Sequence, residues 1–384
     1  MKSKKKLLAL LTSLLMLLSF TGCTKEEAGY LKKISEVSNW KYATETGKVN
    51  MGVSVSKEID PKLGKLELNM NIKDAYVENV KGKQKMVATI DFDGFINVKD
   101  ATFYMDDTKL YAPKSVFESS VKAAAALSDE KKVEFPETKA EYIVIDSAED
   151  EETKEVMKSF KKDGTSYTEQ ELKMLSDLGQ ILEFKTDLKK QGEVYTLNVD
   201  SDKMVDKCVE LMDKVVSKLD KVVEVFQITD ITKENIAELQ KSYEEMRPEM
   251  IKSVPEVKTM LKGSRLDMKA DFSKRNEYTS NASLNIKLKD MGEFKTVSDV
   301  VVKKLYQPKE IQFPKEEQTI GFEEYKKVLD EMKPETPEEN ADTKEENADT
   351  KKEEMQKVGK ALDAFTKEIQ IIGGSDAPTS ILVK

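Results

Sequence analysis

The chain has 384 residues, 39% apolar and 35% charged, with a formal charge of −9 and no histidine. That is material for one large or two small domains with a real core, and its acidic balance argues against nucleic acid and against electrostatic adsorption to anionic lipid. The missing histidine excludes histidine-activated serine and cysteine hydrolases and nearly all catalytic zinc sites, so any catalysis would fall to carboxylate, lysine or tyrosine.

Lys2, Lys4, Lys5 and Lys6 precede an apolar run from Leu7 to Phe20 that closes on Thr21, Gly22 and Cys23. A basic start, a hydrophobic stretch too short for a mature membrane helix and small residues before a cut form a secretory signal peptide, here residues 1–22. The end of this segment resembles the lipobox of bacterial lipoproteins, with Phe20 where the family's usual residue is Leu. The resemblance implies that Cys23 takes a diacylglycerol and becomes the first mature residue. That puts the protein on the extracytoplasmic face of the cell membrane, held by a covalent lipid anchor of the palmitate-bearing kind. The alternatives are an ordinary secreted protein cut near Cys23 and an uncleaved anchor. The leader holds four lysines and no acids, so the mature chain carries −13. With Cys23 lipidated, Cys208 stands alone, and no intramolecular disulfide can form.

Residues 23–45 read as a polar tether followed by a brief helix from Ala28 to Trp40. Trp40 either anchors the first strand or contacts headgroups. The body, residues 46–314, opens on strands. Val49, Met51, Val53 and Val55 alternate with polar or small residues, as do Leu66, Leu68, Met70 and Ile72, and then Met86, Ala88, Ile90 and Phe92. A period of two is that of a sheet with one buried face. Residues 99–112 read as a hairpin bent at Asp106 and Asp107. Helices are expected at 149–162 and 168–181, and Tyr195, Leu197 and Val199 make a strand. Met204, Cys208, Leu211, Val215, Leu219, Val222 and Phe226 step by threes and fours, which predicts one long helix from Ser201 to Phe226. A further helix runs from Thr232 to about Met246, with Pro248 and Pro255 limiting or bending the chain beyond it. Strands return around Leu266 to Phe272, Tyr278 to Leu288 and Val297 to Leu305, and Pro308 and Pro314 end the body. Strands, helices, strands is an α+β order: one curved antiparallel sheet, a half-barrel built from both ends of the body, packed on central helices.

From Lys315 to Lys357 fifteen acids meet eight bases, and Glu-Asn-Ala-Asp-Thr-Lys occurs at both 339–344 and 346–351. Such a segment buries too little to offset its chain entropy and reads as an acidic disordered linker. Residues 358–384 add a short helix and an apolar tail. That tail, from Ile371 to Lys384, resembles the Gly-Gly-Ala-Asp-Gly-Pro-Thr segment of the β subunit of sodium-translocating decarboxylases. Gly373, Gly374, Asp376, Pro378 and Thr379 match, while Ser375 and Ala377 depart. With no span in the mature chain, a pump is excluded; the tail is a recognition segment for an envelope protein partner, or else a plain tail strand or fusion remnant.

Asp91-Phe92-Asp93-Gly94 has the first beats of a calcium loop without its later ligands, so no metal site is read there. Asp150-Glu151-Glu152 fits a helix start better than a catalytic pair. Cys208, on an apolar stripe, reads as a core hydrophobe. No cofactor is called for. The lysine-rich, arginine-poor composition fits a low-GC Gram-positive source. The architecture over roughly residues 40–314 resembles the LolA and LppX type of lipoprotein carrier, which implies a non-catalytic protein holding a lipid or other apolar ligand between sheet and helices. Lining candidates are Leu68, Met70, Ile90, Phe92, Met268, Phe272, Leu284 and Ile286 on strands, facing Leu211, Val215 and Leu219. The alternative is a structural or protein-interaction envelope lipoprotein with a solid core.

Overall fold

Alternation along β1 (Tyr42–Val55) sends Glu45, Val49 and Met51 to one face and Thr46, Lys48 and Asn50 to the other. This is the central strand of the fold. The computed structural model describes residues 24–56, 64–80, 83–127, 133–146, 169–226 and 232–331. Before β1 comes α1 (Lys25–Ser38). After β1 come β2 (Lys65–Val80), β3 (Lys83–Gly94), β4 (Val98–Met105), β5 (Lys109–Pro113), α2 (Lys114–Leu127), β6 (Tyr142–Asp146) and α3 (Glu169–Leu182). Next are β7 (Lys189–Gln191), β8 (Val194–Asp200), α4 (Ser201–Ser217), α5 (Leu219–Val225) and α6 (Lys233–Met260). The chain continues through β9 (Arg265–Asp271), β10 (Glu277–Leu288), β11 (Gly292–Leu305), β12 (Thr319–Gly321) and α7 (Phe322–Glu331).

All twelve strands join one open, curled mixed sheet in the order β12-β6-β5-β4-β3-β2-β1-β11-β10-β9-β8-β7. One meander runs outward from β1, and a second runs inward to end at β11. The two are zipped together where β1 pairs antiparallel with β11, from Tyr42 opposite Leu305 to Val55 opposite Gly292. The α+β class and the building of one sheet from both ends of the body are as expected. The sheet is not wholly antiparallel, because β12 lies parallel to β6 at the edge.

The structure corrects five local expectations. The stripe from Met204 to Phe226 is broken: Lys218, with φ −119° and ψ 25°, ends α4 and starts α5. Its ammonium donates to Ile181 O at the end of α3, so a tertiary contact holds the bend. The helix expected to stop near Met246 instead passes through Pro248 and Pro255 to Met260. Each proline removes one backbone hydrogen bond, and the packing of Val254, Val257 and Leu261 with α3 and α4 holds the second half in place. Residues 316–331, expected within a disordered linker, form a 3-10 turn, β12 and α7. Phe322 and Tyr325 stack on Phe117 of α2 at 6.3 and 5.7 Å, an apolar anchor that the surrounding acids mask in the sequence. Pro308 and Pro314 therefore do not end the body. The segment between them puts Phe313 against Tyr104 and Tyr111, at 5.9 and 5.7 Å, on the outer face of the sheet. Burial pushes the neighbouring Tyr142 phenol up to about 12.

Residues 24–27, expected as part of a polar tether, are the cap and first turn of α1. Thr24 is its N-cap: the threonine hydroxyl accepts from Glu27 N at 3.1 Å, and the Glu27 carboxylate accepts from Thr24 N at 2.8 Å. The same carboxylate, buried, accepts from Thr186 N at 2.6 Å and from the Thr186 hydroxyl. A side chain in the first turn thereby ties the helix to the loop before β7.

Elsewhere the expectations hold. Residues 169–182 and 194–200 form the helix and the strand foreseen there. The hairpin turn rests on Asp106, whose carboxylate accepts from Thr108 N and Lys109 N at 2.8 and 2.9 Å. The helix expected at 149–162, the signal peptide with Cys23, the acids at 150–152 and everything after Glu331, including Gly373, Gly374, Asp376, Pro378 and Thr379, lie outside the described residues. Within them, no helix is long and apolar enough to cross a membrane.

Candidate ligand-binding face

The inner face of the sheet carries the apolar halves of the alternating strands, and the helices cover it unevenly. Val116 of α2 belongs to one apolar group with Val49, Leu68, Met70, Ile72, Ile90 and Phe92. Under α1, Tyr30, Ile34 and Val37 pack on Ala43, Tyr195, Phe272, Tyr278, Val300 and Val302. A third apolar group joins α3, α4 and α6 through Leu178, Leu182, Cys208, Leu211, Val257 and Leu261, with Ile286 and Leu288 of β10 against it.

The eleven lining candidates do not meet in one place. Leu68, Met70, Ile90 and Phe92 lie together, but against α2 and not against α4. Leu211 and Val215 meet Ile286 in the helical group, while Phe272 and Met268 lie under α1. Leu219 begins α5, after the break, and is half-buried. Leu284 pairs with Leu266 and Thr296 and belongs to none of the three groups. Apolarity told these side chains to face inward; it could not tell which helix each would meet.

Between the α2 side and the α3, α4 and α6 side runs a strip of the inner face that is less covered. Met51 lies opposite Leu68 and Thr296, and Val53 lies opposite Leu66 and Phe294. Phe294 in turn faces Ile286, and Thr296 faces Leu284. Met51, Leu66, Leu284 and Phe294 are half-buried, and Val53 is 38% exposed. Phe95 and Met291 are also exposed at this end, where Phe95 N donates to Glu67 O and Ser56 N donates to Met291 O. The outer face of the same strands carries Lys48, Asn50, Lys65, Glu67, Asn69 and Lys295. An apolar inner strip backed by a polar outer surface can hold an apolar molecule while the sheet itself stays wetted.

Beyond the fully buried Val49, under α1 and outside this strip, lies Glu45, on the same side of β1 as Val49, Met51 and Val53. It is 1% exposed, and neither carboxyl oxygen has a hydrogen-bond partner among the described residues. Its strand neighbours are Val302 and Ala75, and burial pushes its carboxyl well above the ordinary carboxylate range. Sequence reading missed it although the signal was present: counting by twos from Val49 through Gly47 toward the N-terminus reaches Glu45. Met51, Val53, Leu66 and Phe294 were equally legible by parity.

Other singled-out residues prove structural. The Asp91 carboxylate accepts from Asp100 N at 2.8 Å and pairs with Lys73 at 2.9 Å beside a bulge in β2, so it is a strand fastener. Those bonds, the backbone one first, lower its pKa. Among the described residues no group of His, Cys, Asp or Glu could hold a metal. Cys208 is 1% exposed, and burial pushes its thiol up to about 12, which leaves it inert. Trp40 packs half-buried beside the α1 group.

Compared with protein-family models and with curated proteins, the chain matches no family and none of those proteins.

Proposed function

We propose that this protein is a membrane-anchored surface lipoprotein, attached through Cys23, that binds a lipid or other apolar ligand on the inner face of a half-barrel sheet and catalyses nothing. The observation that carries this reading is the under-covered strip of Met51, Val53, Leu66, Leu284 and Phe294, flanked by helices on both sides and backed by a polar outer face. A fully packed interior would have no reason to leave five adjoining inward side chains half-covered. The test is native mass spectrometry of the chain from Thr24 onward, which keeps the capping residue of α1. Co-purified lipid that is lost in Met51→Glu supports the reading, and a bare mass that takes up no added lipid removes it. For the anchor, Cys23→Ser should release the protein to the medium or leave the precursor uncut; processed protein still on the membrane would count against it.

A second reading, an interaction lipoprotein with a solid core, is favoured by α6. Leu239 and Met246 stand 53% and 61% exposed on a helix whose buried residues are Ile236 and Val257. Exposed apolar side chains of this size on one helix suit a protein partner. Loss of pulled-down envelope proteins in Leu239→Lys/Met246→Lys, with lipid content unchanged, would favour it.

A further inference from the structure

Along α6, Ile236, Leu239, Tyr243, Met246, Met250, Ser253 and Val257 step alternately by three and four residues. That is the seam spacing of a helix that packs on other helices along its length. One half of the seam is used. Ile236 and Val257 are buried, Tyr243 and Met250 are half-buried, and the Tyr243 hydroxyl donates to the Asp213 carboxylate of α4 at 2.8 Å. Arg247 Nε and Nη2 donate to the same carboxylate at 2.6 and 2.8 Å, and Gln240 Nε2 donates to Val216 O at 2.9 Å. The other half is open. Leu239 and Met246 are 53% and 61% exposed, seven residues or about 10 Å apart along the axis, and none of residues 237–256 is buried. At 3.6 residues per turn, Glu238, Glu245 and Glu249 flank this open half on the side away from Gln240 and Arg247, and all three are exposed. Glu249 pairs with Lys252 of its own helix at 2.5 Å, while among the described residues no ion pair engages Glu238 or Glu245.

Resting on the interaction reading and independent of the lipid-binding one, we propose that the open half of the α6 seam docks a basic amphipathic helix of a partner protein. That helix carries large apolar side chains at intervals of three and four, and lysine or arginine along the flank that meets Glu238, Glu245 and Glu249. The spacing selects the shape of the partner, because anchors at i and i+7 on a helix are matched by a second helix lying along it. The flanking glutamates select its charge, as charges beside an apolar seam do in paired helices. A second copy of this chain would set the same glutamates against one another, and an anionic lipid surface would meet them as well, so neither fits this face. Docking buries Leu239 and Met246 and completes a layer with α4 on one side of α6 and the partner on the other.

The probes are synthetic peptides of about three heptads: one with a leucine stripe at seam spacing and a lysine polar face, one with the same stripe and a glutamate polar face, and the lysine peptide scrambled so that the stripe is lost. Fluorescence anisotropy measures their binding to the chain from Thr24 onward at low and at physiological salt. The striped lysine peptide should bind at least about tenfold more tightly than either of the others, and more weakly as salt is added. Leu239→Ser/Met246→Ser should remove the preference for the stripe, and Glu238→Gln/Glu245→Gln/Glu249→Gln the preference for lysine over glutamate. Glu310→Gln/Glu316→Gln/Glu317→Gln, the same change of net charge on exposed residues outside α6, should alter neither. Equal binding of the striped and scrambled lysine peptides, or preferences that survive the α6 substitutions, overturn the proposal, because the attraction is then one of net charge. Binding of neither striped peptide also overturns it, while the pull-down with Leu239→Lys/Met246→Lys decides the broader interaction reading separately.

Discussion

Glu45 makes a stability prediction that needs no ligand. Its carboxyl is fully shielded, and burial raises its pKa well above the ordinary value of 4.5. A carboxyl whose pKa is raised in the folded state contributes stability that is fully present below the unfolded pKa and is lost as pH rises through the folded one. Above about pH 4.5 the unfolded chain releases this proton and the native chain keeps it. Folding therefore loses about 1.4 kcal/mol per pH unit over that window. Glu45→Gln replaces the acid by a neutral group of the same shape and should abolish this one contribution. Urea denaturation of both proteins at half-unit steps from pH 5 to pH 8 measures it. The variant should gain on the parent as pH rises from the unfolded pKa toward the raised native one, at equal m-values. Taking the difference cancels the other titrating groups, including Asp91, Asp213 and Glu277, whose partners lower their pKa values and whose contributions are lost on acidification. Parallel curves for the two proteins would refute the reasoning, because they would mean that Glu45 ionises in the native state as freely as in the unfolded one.

Glu27→Ala removes the capping box of α1 and leaves Thr186 N without its acceptor, and should cost about 2–3 kcal/mol; an unchanged urea midpoint would contradict the anchoring described for that helix. Two glycines with positive φ should differ sharply. Gly94→Ala places a Cβ 2.0 Å from Glu67 O at φ +128°, whereas Gly192→Ala at φ +61° meets nothing within 4 Å. The first should lower thermal stability severely and the second by about 1 kcal/mol, and equal losses would sink the argument. Cys208 should resist a disulfide-exchange reagent at pH 8 in native buffer and react at once in 6 M urea; fast native labelling would show that its part of the core opens readily.

The strands were legible because a half-buried sheet writes its period directly into the chain. Val49, Met51 and Val53, or Leu68, Met70 and Ile72, cannot alternate as they do for any other reason. The helix break at Lys218 was not legible, because Leu211, Val215, Leu219 and Val222 keep an unbroken stripe across it. Its cause is a lysine reaching a carbonyl on another helix. The passage of α6 through two prolines also rests on packing and not on local preference. Residues 319–331 were hidden because their acids outnumber Phe322 and Tyr325, although those two rings, with the Tyr325 hydroxyl donating to Glu118, fix the segment to α2. For the candidate site, inward direction was readable and partnership was not. Glu45 is easily overlooked because an acid among polar neighbours reads as surface, when its parity with Val49 already places it inside.

Thr24 and Glu27 hold the first turn of α1 to Thr186, and Thr24 directly succeeds the cysteine proposed to carry the lipid. If Cys23 is acylated, no slack separates the bilayer from the body. One peptide bond, with about 3.8 Å between its Cα atoms, joins the anchor to a helix that covers the Glu45 end of the sheet. A pull on the lipid is then a pull on that helix, and the body cannot swivel on its anchor as on a leash. Attachment through Cys23 would then act as a lever: raising the protein from the bilayer and prying α1 from the sheet would be the same mechanical act, and the Glu27–Thr186 clasp would set the force at which it begins.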